Sequence, residues 1–182
     1  MKTKEIIEDI LIREGWPKFT NLPNDRGGPT KGGITLGTLS EYMGRKCSEE
    51  ELMNLKKDTA IDIYMALFVQ RTHYDCINDD HLQGLMVDCA VLHGVLRANK
   101  WLQEALMVKP DGVVGPITLG SLVAADKEQI YTLVCCSRIE FIGEIISANY
   151  KARKNKLTDK DQAEFAHGWL RRAVSFLREQ CS

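Results

Sequence analysis

A glycine- and proline-rich stretch near the N-terminus limits what this chain can fold into. Between residues 15 and 33 the chain carries five glycines and three prolines, so a regular helix cannot run through these nineteen positions. Before the stretch, apolar residues repeat at helical spacing at Ile6, Ile7, Ile10 and Leu11. An amphipathic helix therefore ends where the stretch begins, and a loop follows it.

Helical spacing continues along most of the remaining chain. Signals for helix starts recur at the capping-box pair Ser48 and Glu51, at the N-cap candidates Asp58, Asp126 and Thr158, and at Pro116, which suits a first helical turn. The segment from Gly32 to Leu39 is the one β-like stretch. These patterns predict a mainly α fold with a small β-hairpin or loop in its N-terminal part.

The composition narrows the class of protein. The chain has 182 residues, 44% of them hydrophobic, which suits one compact unit or two small lobes. Its 24 basic and 25 acidic residues nearly cancel, which argues against a nucleic-acid partner. The N-terminus has no apolar core of signal-peptide length, and no later run reaches transmembrane length. We expect synthesis in the cytoplasm without a signal peptide, and no stable membrane insertion.

The motifs do not indicate a cofactor or a metal. The six cysteines show no CxxC spacing and no histidines at zinc-finger intervals. The sequence also contains no GxGxxG loop after a strand, no phosphate loop and no HExxH pair. We therefore expect no cofactor and mostly reduced thiols.

Two carboxyl groups near the glycine-rich stretch are the strongest candidates for chemistry. Glu14 lies on the apolar stripe of the first helix, and a carboxyl set against apolar groups tends to keep the proton that a general acid donates. Asp25 lies in the polar loop and should stay ionised, and Thr30 can hold a water through its hydroxyl. Two carboxyls in unlike environments suit cleavage of a glycosidic bond. The alternative is purely structural, with Glu14 in a salt bridge at the helix end and Asp25 in an Asx-turn.

The loop motif resembles that of a known family. The segments Glu14-Gly15, Asp25-Arg26-Gly27-Gly28-Pro29-Thr30 and Gly33-Ile34-Thr35 are similar to the N-terminal motif of glycoside hydrolase family 108, which comprises N-acetylmuramidases with a lysozyme-like fold. The resemblance implies that Glu14 is the catalytic acid and that Asp25 and Thr30 are its partners in the loop.

A second motif lies in the C-terminal half. The segments Trp101-Leu102-Gln103, Asp111-Gly112, Gly115-Pro116 and Thr118 resemble a peptidoglycan-binding pattern, although the same residues also describe a helix-turn-helix in which glycines make the turn. Further segments that fit the family are Asp88 to Gly94, Phe165, Gly168-Trp169 and Arg172.

The resemblance implies a lysozyme-like helical fold with a catalytic lobe over residues 1–80 and a helical, peptidoglycan-binding lobe over residues 81–182. The implied substrate is bacterial cell-wall peptidoglycan, cleaved between N-acetylmuramic acid and N-acetylglucosamine, as in a phage-type endolysin. A holin or a secretion system would then carry the protein to the wall. A lytic transglycosylase and a non-catalytic peptidoglycan-binding protein remain alternatives.

Two other residue pairs leave different interpretations open. Cys89 and His93 are four residues apart on one helix and could form the thiol and base of a cysteine amidase, although a buried cysteine beside a polar histidine is the commoner arrangement. Phe68 and Tyr74 could stack on sugars, although aromatic residues at helical spacing usually belong to a core.

Overall fold

The computed structural model of the chain describes residues 3–21, 28–154 and 163–179. Helices dominate this part of the chain, and short strands follow the first helix. The helices are α1 (Thr3–Arg13), α2 (Leu36–Met43), α3 (Glu49–Met53), α4 (Lys57–Tyr64), α5 (Asp80–His93), α6 (Val95–Ala105), α7 (Pro116–Ala124), α8 (Lys127–Lys154) and α9 (Ala163–Glu179). The strands are β1 (Phe19–Thr20), β2 (Thr30–Lys31) and β3 (Ile34–Thr35).

The strands form a small antiparallel sheet in the order β1-β2-β3. Thr30 of β2 pairs with Thr35 of β3, and the tight turn between them is made by Gly32 and Gly33 at φ 53° and 74°, where a side chain would be strained. The predicted β-like segment ends earlier than expected. The Thr35 hydroxyl caps α2 by accepting from the Thr38 amide, so the chain becomes helical directly after β3.

Three of the five predicted helix starts are confirmed, two of them by hydrogen bonds and one by its position. Ser48 and Glu51 form the reciprocal capping box, and Pro116 opens α7. The Asp126 carboxylate accepts from the first amides of α8. The prediction for Asp58 is wrong, because it lies inside the first turn of α4, where its negative charge still complements the helix dipole. Thr158 lies outside the described residues.

Helix α5 lies at the centre of the core and packs against α1, α6 and α8. Its middle is apolar, with Leu85, Met86 and Val87 fully buried, yet Asp88 is fully buried among them. Helix α9 packs along α8, where the Tyr131 hydroxyl donates to the Phe176 carbonyl over 2.8 Å. The C-terminal helix is therefore tied to the same core that holds the first helix.

Helix α4 continues into a wider π-helical segment over Met65–Gln70, and a 3-10 turn follows at Tyr74–Cys76. Widened turns of this kind are frequent near functional sites. Within the described part of the chain, no helix combines the length and the apolar character needed to cross a membrane.

Candidate active site

Glu14 directly follows α1, as the sequence predicts. Its amide donates to the Ile10 carbonyl over 2.9 Å, and Gly15 then turns the chain at φ 80°. The carboxyl reaches the turn between β2 and β3. A Cβ atom on Gly33 would lie 2.8 Å from Glu14 Cγ and 3.0 Å from Oε2, so only glycine lets the backbone approach so closely.

Tyr64 stabilises the turn between β2 and β3. Its hydroxyl donates to the Gly32 carbonyl over 3.0 Å, and its side chain is fully buried. Burial raises the pKa of Tyr64, and the nearby Glu14 charge raises it further. The phenol therefore stays a hydrogen-bond donor and fixes the glycine turn against Glu14.

Arg172 of α9 forms an ion pair with Glu14. Its Nη1 donates to Glu14 Oε1 over 2.6 Å, and the two side chains are 15% and 17% exposed. The carboxyl thus lies beside a guanidinium, and not only against the apolar groups that helical periodicity leads one to expect. Because arginine only donates, Oε1 is occupied and Oε2, on the Gly33 side, is the oxygen available to carry a proton.

Asp88 orients Arg172 from the other side. Arg172 Nε and Nη2 donate to Asp88 Oδ1 over 3.0 and 2.5 Å. Burial opposes the charge of Arg172, but Asp88 and Glu14 outweigh that cost and raise its pKa. The guanidinium is therefore a fixed cation between two carboxylates.

A second arginine completes this cluster inside the core. Arg138 and Asp88 are both fully buried, and Arg138 Nη2 lies 2.8 Å from Asp88 Oδ2. That contact is an ion pair whose angle does not make a hydrogen bond, and Arg138 Nη1 has no hydrogen-bond partner among the described residues. Arg138 Nε donates to His93 Nε2 over 3.2 Å. Buried charges are tolerated only when paired, and here positive and negative groups alternate from the core out to Glu14.

The cysteine–histidine pair does not have the features of a nucleophile and its base. Burial raises the pKa of the Cys89 thiol to about 12, so the reactive thiolate is scarce at neutral pH. Burial and the Arg138 charge lower the pKa of His93 to about 3. The acceptor nitrogen of His93 is also engaged by Arg138. The geometry offers no support for a cysteine amidase.

Of the two loop residues predicted to assist Glu14, the structure describes Thr30 but not Asp25. Thr30 lies in β2, and its hydroxyl donates to the Gly28 carbonyl over 2.9 Å. No hydrogen bond joins Thr30 to Glu14 among the described residues. Asp25 lies outside the described residues, so its relation to Glu14 stays a prediction.

A cavity of about 560 Å³ opens between the N-terminal and C-terminal parts of the chain. Its lining comes from α2 and residues 67–73 on one side and from residues 95–114 on the other. Glu14 is not part of the lining. Phe68 connects the cavity with the surroundings of Glu14, because it lines the cavity and its ring centre is 5.3 Å from that of Tyr64. Tyr74 is fully buried, so it belongs to the core and offers no face to a sugar.

The second sequence motif folds into a hydrogen-bonded loop between α6 and α7. Gln103 Nε2 donates to Asp111 Oδ1 over 2.8 Å and to the Val113 carbonyl over 3.0 Å. Its Oε1 accepts from the Gly112 amide over 2.7 Å, and Thr118 is also within reach of Nε2. The hydrogen bond from Gln103 lowers the pKa of Asp111. Gln103 and Thr118 are turned inward, so this motif holds the loop.

Sequence reasoning named Glu14 but gave no role to its partners. Asp88 and Arg172 were noted only as fitting the family, and Arg138 was not singled out. One signal could have found Asp88, because a single carboxylate within the otherwise apolar middle of a helix requires a buried cation. Which arginine supplies that cation cannot be read from spacing, because Arg172 is 84 residues away.

Comparisons with known proteins agree with the fold and with the family that the sequence motifs resemble. Residues 7–94 match the family model described as glycosyl hydrolase 108, and residues 97–174 match one described as a predicted peptidoglycan domain. Among solved structures, the chain is similar to SagA of Brucella abortus at 28% identity and a TM-score of 0.71, covering 94% of this chain and 93% of that one. No curated protein sequence matches. The predicted mainly α, lysozyme-like fold with a small sheet is confirmed.

Proposed function

We propose that this chain is an N-acetylmuramidase. It belongs to glycosyl hydrolase family 108 through residues 7–94, and it carries a peptidoglycan domain over residues 97–174. The two domains together indicate a peptidoglycan hydrolase. The finer proposal is hydrolysis of the β-1,4 bond between N-acetylmuramic acid and N-acetylglucosamine.

The observation that carries this proposal is the setting of Glu14. Its Oε2 carries the proton to the leaving glycosidic oxygen, while Oε1 stays on Arg172. Once the proton has moved, the carboxylate that remains has a guanidinium 2.6 Å away. A charge that develops beside a fixed opposite charge lowers the barrier without any reorganisation. Arg172 is thus a positioning residue that also stabilises the product form of the acid.

The remaining steps fall to the loop. Departure of the leaving group gives an oxocarbenium-like centre, and a water attacks it. We assign Asp25 and Thr30 to this water, with the ionised carboxylate accepting its proton and the hydroxyl orienting it. Asp25 then releases this proton to solvent and Glu14 takes one up from solvent, which restores both carboxyl groups and closes the cycle.

Mass spectrometry of digested peptidoglycan tests the reaction. A muramidase leaves reducing muramic ends, whereas a lytic transglycosylase leaves 1,6-anhydro ends and a mere binding protein leaves the glycan intact. We expect reducing muramic ends. Anhydro ends would replace the proposal by the transglycosylase, and intact glycan would replace it by the non-catalytic alternative.

Glu14→Gln tests the acid. We expect release of reducing ends to fall by on the order of a hundredfold or more, since an amide cannot donate the proton. Glu8→Gln is the matched control, because Glu8 lies on α1, the helix that Glu14 directly follows, and pairs with Lys57 at the surface. Full activity in a folded Glu14→Gln protein would exclude Glu14 as the acid.

The place of action follows from the substrate. We propose that the protein is made in the bacterial cytoplasm and reaches the wall through a holin or a secretion system, as a phage-type endolysin does. Expression in the cytoplasm should then lyse cells only when a holin is produced with it. Lysis at the same rate without a holin would contradict this route.

A further inference from the structure

The cavity between the two parts of the chain has apolar walls and a charged edge. The walls include Leu67, Phe68, Val95 and Val114. At the edge, Glu41 of α2 and Arg71 form an ion pair, with side chains 54% and 65% exposed. Both charges therefore reach solvent at the mouth of the cavity.

Three other polar side chains of the lining, those of Thr38, Thr72 and Asn99, already have partners, and the Thr38 hydroxyl shares a hydrogen bond with the Thr35 hydroxyl over 2.9 Å. The Thr72 hydroxyl donates to the carbonyls of Phe68 and Val69, both at 3.0 Å. Asn99 donates to the Gly112 carbonyl over 2.9 Å and accepts from Tyr74 over 2.5 Å. These groups are committed to the fold. Glu41 and Arg71 carry the charges at the edge of the cavity, and the exposed side chain of His73 also lines it.

The contribution of the Glu41–Arg71 ion pair to folding stability does not explain why the pair is there. Exposed pairs of this kind contribute little to folding, because water and salt screen them. A guanidinium and a carboxylate held side by side can instead receive a ligand that carries both a carboxylate and an ammonium group, each charge meeting its opposite. A neutral sugar ring offers no such charges.

We propose that this cavity binds the peptide stem of an N-acetylmuramic residue, with Arg71 on a stem carboxylate and Glu41 on a stem amine. This inference rests on the proposed function, since that function supplies the glycan. Stems of peptidoglycan carry short apolar side chains as well as carboxylates and amines, which match the apolar walls and the charged edge. Phe68 links this cavity to Tyr64 and so to the turn beside Glu14. The enzyme therefore selects glycan that still carries stems.

Kinetics on two substrates test this selection. Purified sacculi are compared with the same glycan after an amidase has removed the stems, and the release of reducing ends is followed. Arg71→Ala should raise KM about tenfold on stem-bearing glycan, leave kcat nearly unchanged, and change neither constant on stripped glycan. An equal change on both substrates, or none on either, would overturn the proposal.

The matched control is Arg45→Ala. Arg45 pairs with Glu51 at a similarly exposed surface, with side chains 56% and 42% exposed, and it does not line the cavity. We expect Arg45→Ala to have the same KM and kcat as the parent on both substrates. A loss of stem preference in Arg45→Ala as large as in Arg71→Ala would reduce the effect to general surface charge and overturn the assignment.

A binding measurement separates this inference from the proposed function. Glu14→Gln protein is titrated calorimetrically with a soluble disaccharide that carries a stem peptide, and with the same disaccharide without it. If Glu14→Gln protein binds the stem-bearing ligand more tightly, and if this preference is lost when Arg71→Ala is added to the same protein, the result supports the site even if no cleavage is found. Equal binding of both ligands overturns the site even if cleavage is found.

Discussion

Gly33 is the residue whose size decides how closely the sheet approaches Glu14. A Cβ atom there would lie 2.5 Å from the Tyr64 hydroxyl and 2.8 Å from Glu14 Cγ. Gly33→Ala should therefore lower the rate of reducing-end release by at least about tenfold, because the acid and its turn must move apart. Kinetics on peptidoglycan would measure the loss.

Gly44→Ala is the control for this change. Gly44 has a similar backbone conformation, φ 65° against 74°, but has open space around it. Both variants should lose on the order of 1 kcal/mol of unfolding free energy from the left-handed backbone. Only Gly33→Ala should also lose activity, and equal activity in the two would contradict the tight contact.

At this scale the sequence predicts a residue but not its surroundings. Periodicity from Ile7 and Ile10 places Glu14 at the end of α1 and facing inward, because local spacing determines which face of a helix a side chain occupies. Its ion pair with Arg172 joins residues 158 positions apart. Only the packing of α9 creates that contact, so no local pattern contains it.

The loop between α6 and α7 depends on one side chain. Gln103 is almost fully buried and makes hydrogen bonds to Asp111, Gly112 and Val113. Gln103→Leu should lower the free energy of unfolding by about 2 to 4 kcal/mol, because several buried polar groups lose their partner. Urea titration would measure the change.

The exposed Gln129 of α8 provides the matching substitution. Gln129→Leu should stay within about 0.5 kcal/mol of the parent, as surface changes usually do. If the two leucine variants were equally stable, the motif would not be holding the loop, and a direct role in binding glycan would become the better interpretation of Gln103.

The elements show why local signals predict helices better than their boundaries. The capping box of α3 and Pro116 of α7 act through neighbouring residues, and both were predicted from the sequence. Asp58 has the right chemistry for a cap but lies two residues too far in, because the N-cap position is occupied by Lys56, whose side chain makes no capping hydrogen bond. The β-like run was predicted too long because Thr35 can act both in a strand and as a cap.

Across the whole molecule, one line of charges joins the two ends of the chain. It runs from Glu14 after the first helix to Arg172 of the last, and through Asp88 to Arg138 in the core, where Arg138 donates to the partly buried, neutral His93. Breaking one member leaves a buried charge without its partner, which is costly. The site and the core are therefore coupled, and a change of charge in the core should change the free energy of unfolding of the whole protein.

His93 makes that coupling measurable through pH. Burial and then Arg138 lower its pKa in the folded state to about 3, whereas the unfolded chain binds a proton at His93 near its ordinary value of 6.5. Between these values the unfolded state holds more protons, so the free energy of unfolding should fall as pH drops from about 6.5 toward 3. At about pH 4.5, two pH units below the unfolded pKa, the contribution of His93 to that fall should be roughly 2 to 3 kcal/mol.

Urea unfolding of the parent and of His93→Gln at about pH 7 and pH 4.5 isolates this contribution. Glutamine still offers an oxygen to Arg138 but cannot take up the proton, so the variant, although less stable throughout, should lose less stability on acidification than the parent. His167→Gln, which changes an exposed histidine of α9, is the control for replacing a histidine at the surface. If His93→Gln and the parent lost the same free energy on acidification, burial and Arg138 would not be holding His93 neutral in the folded protein.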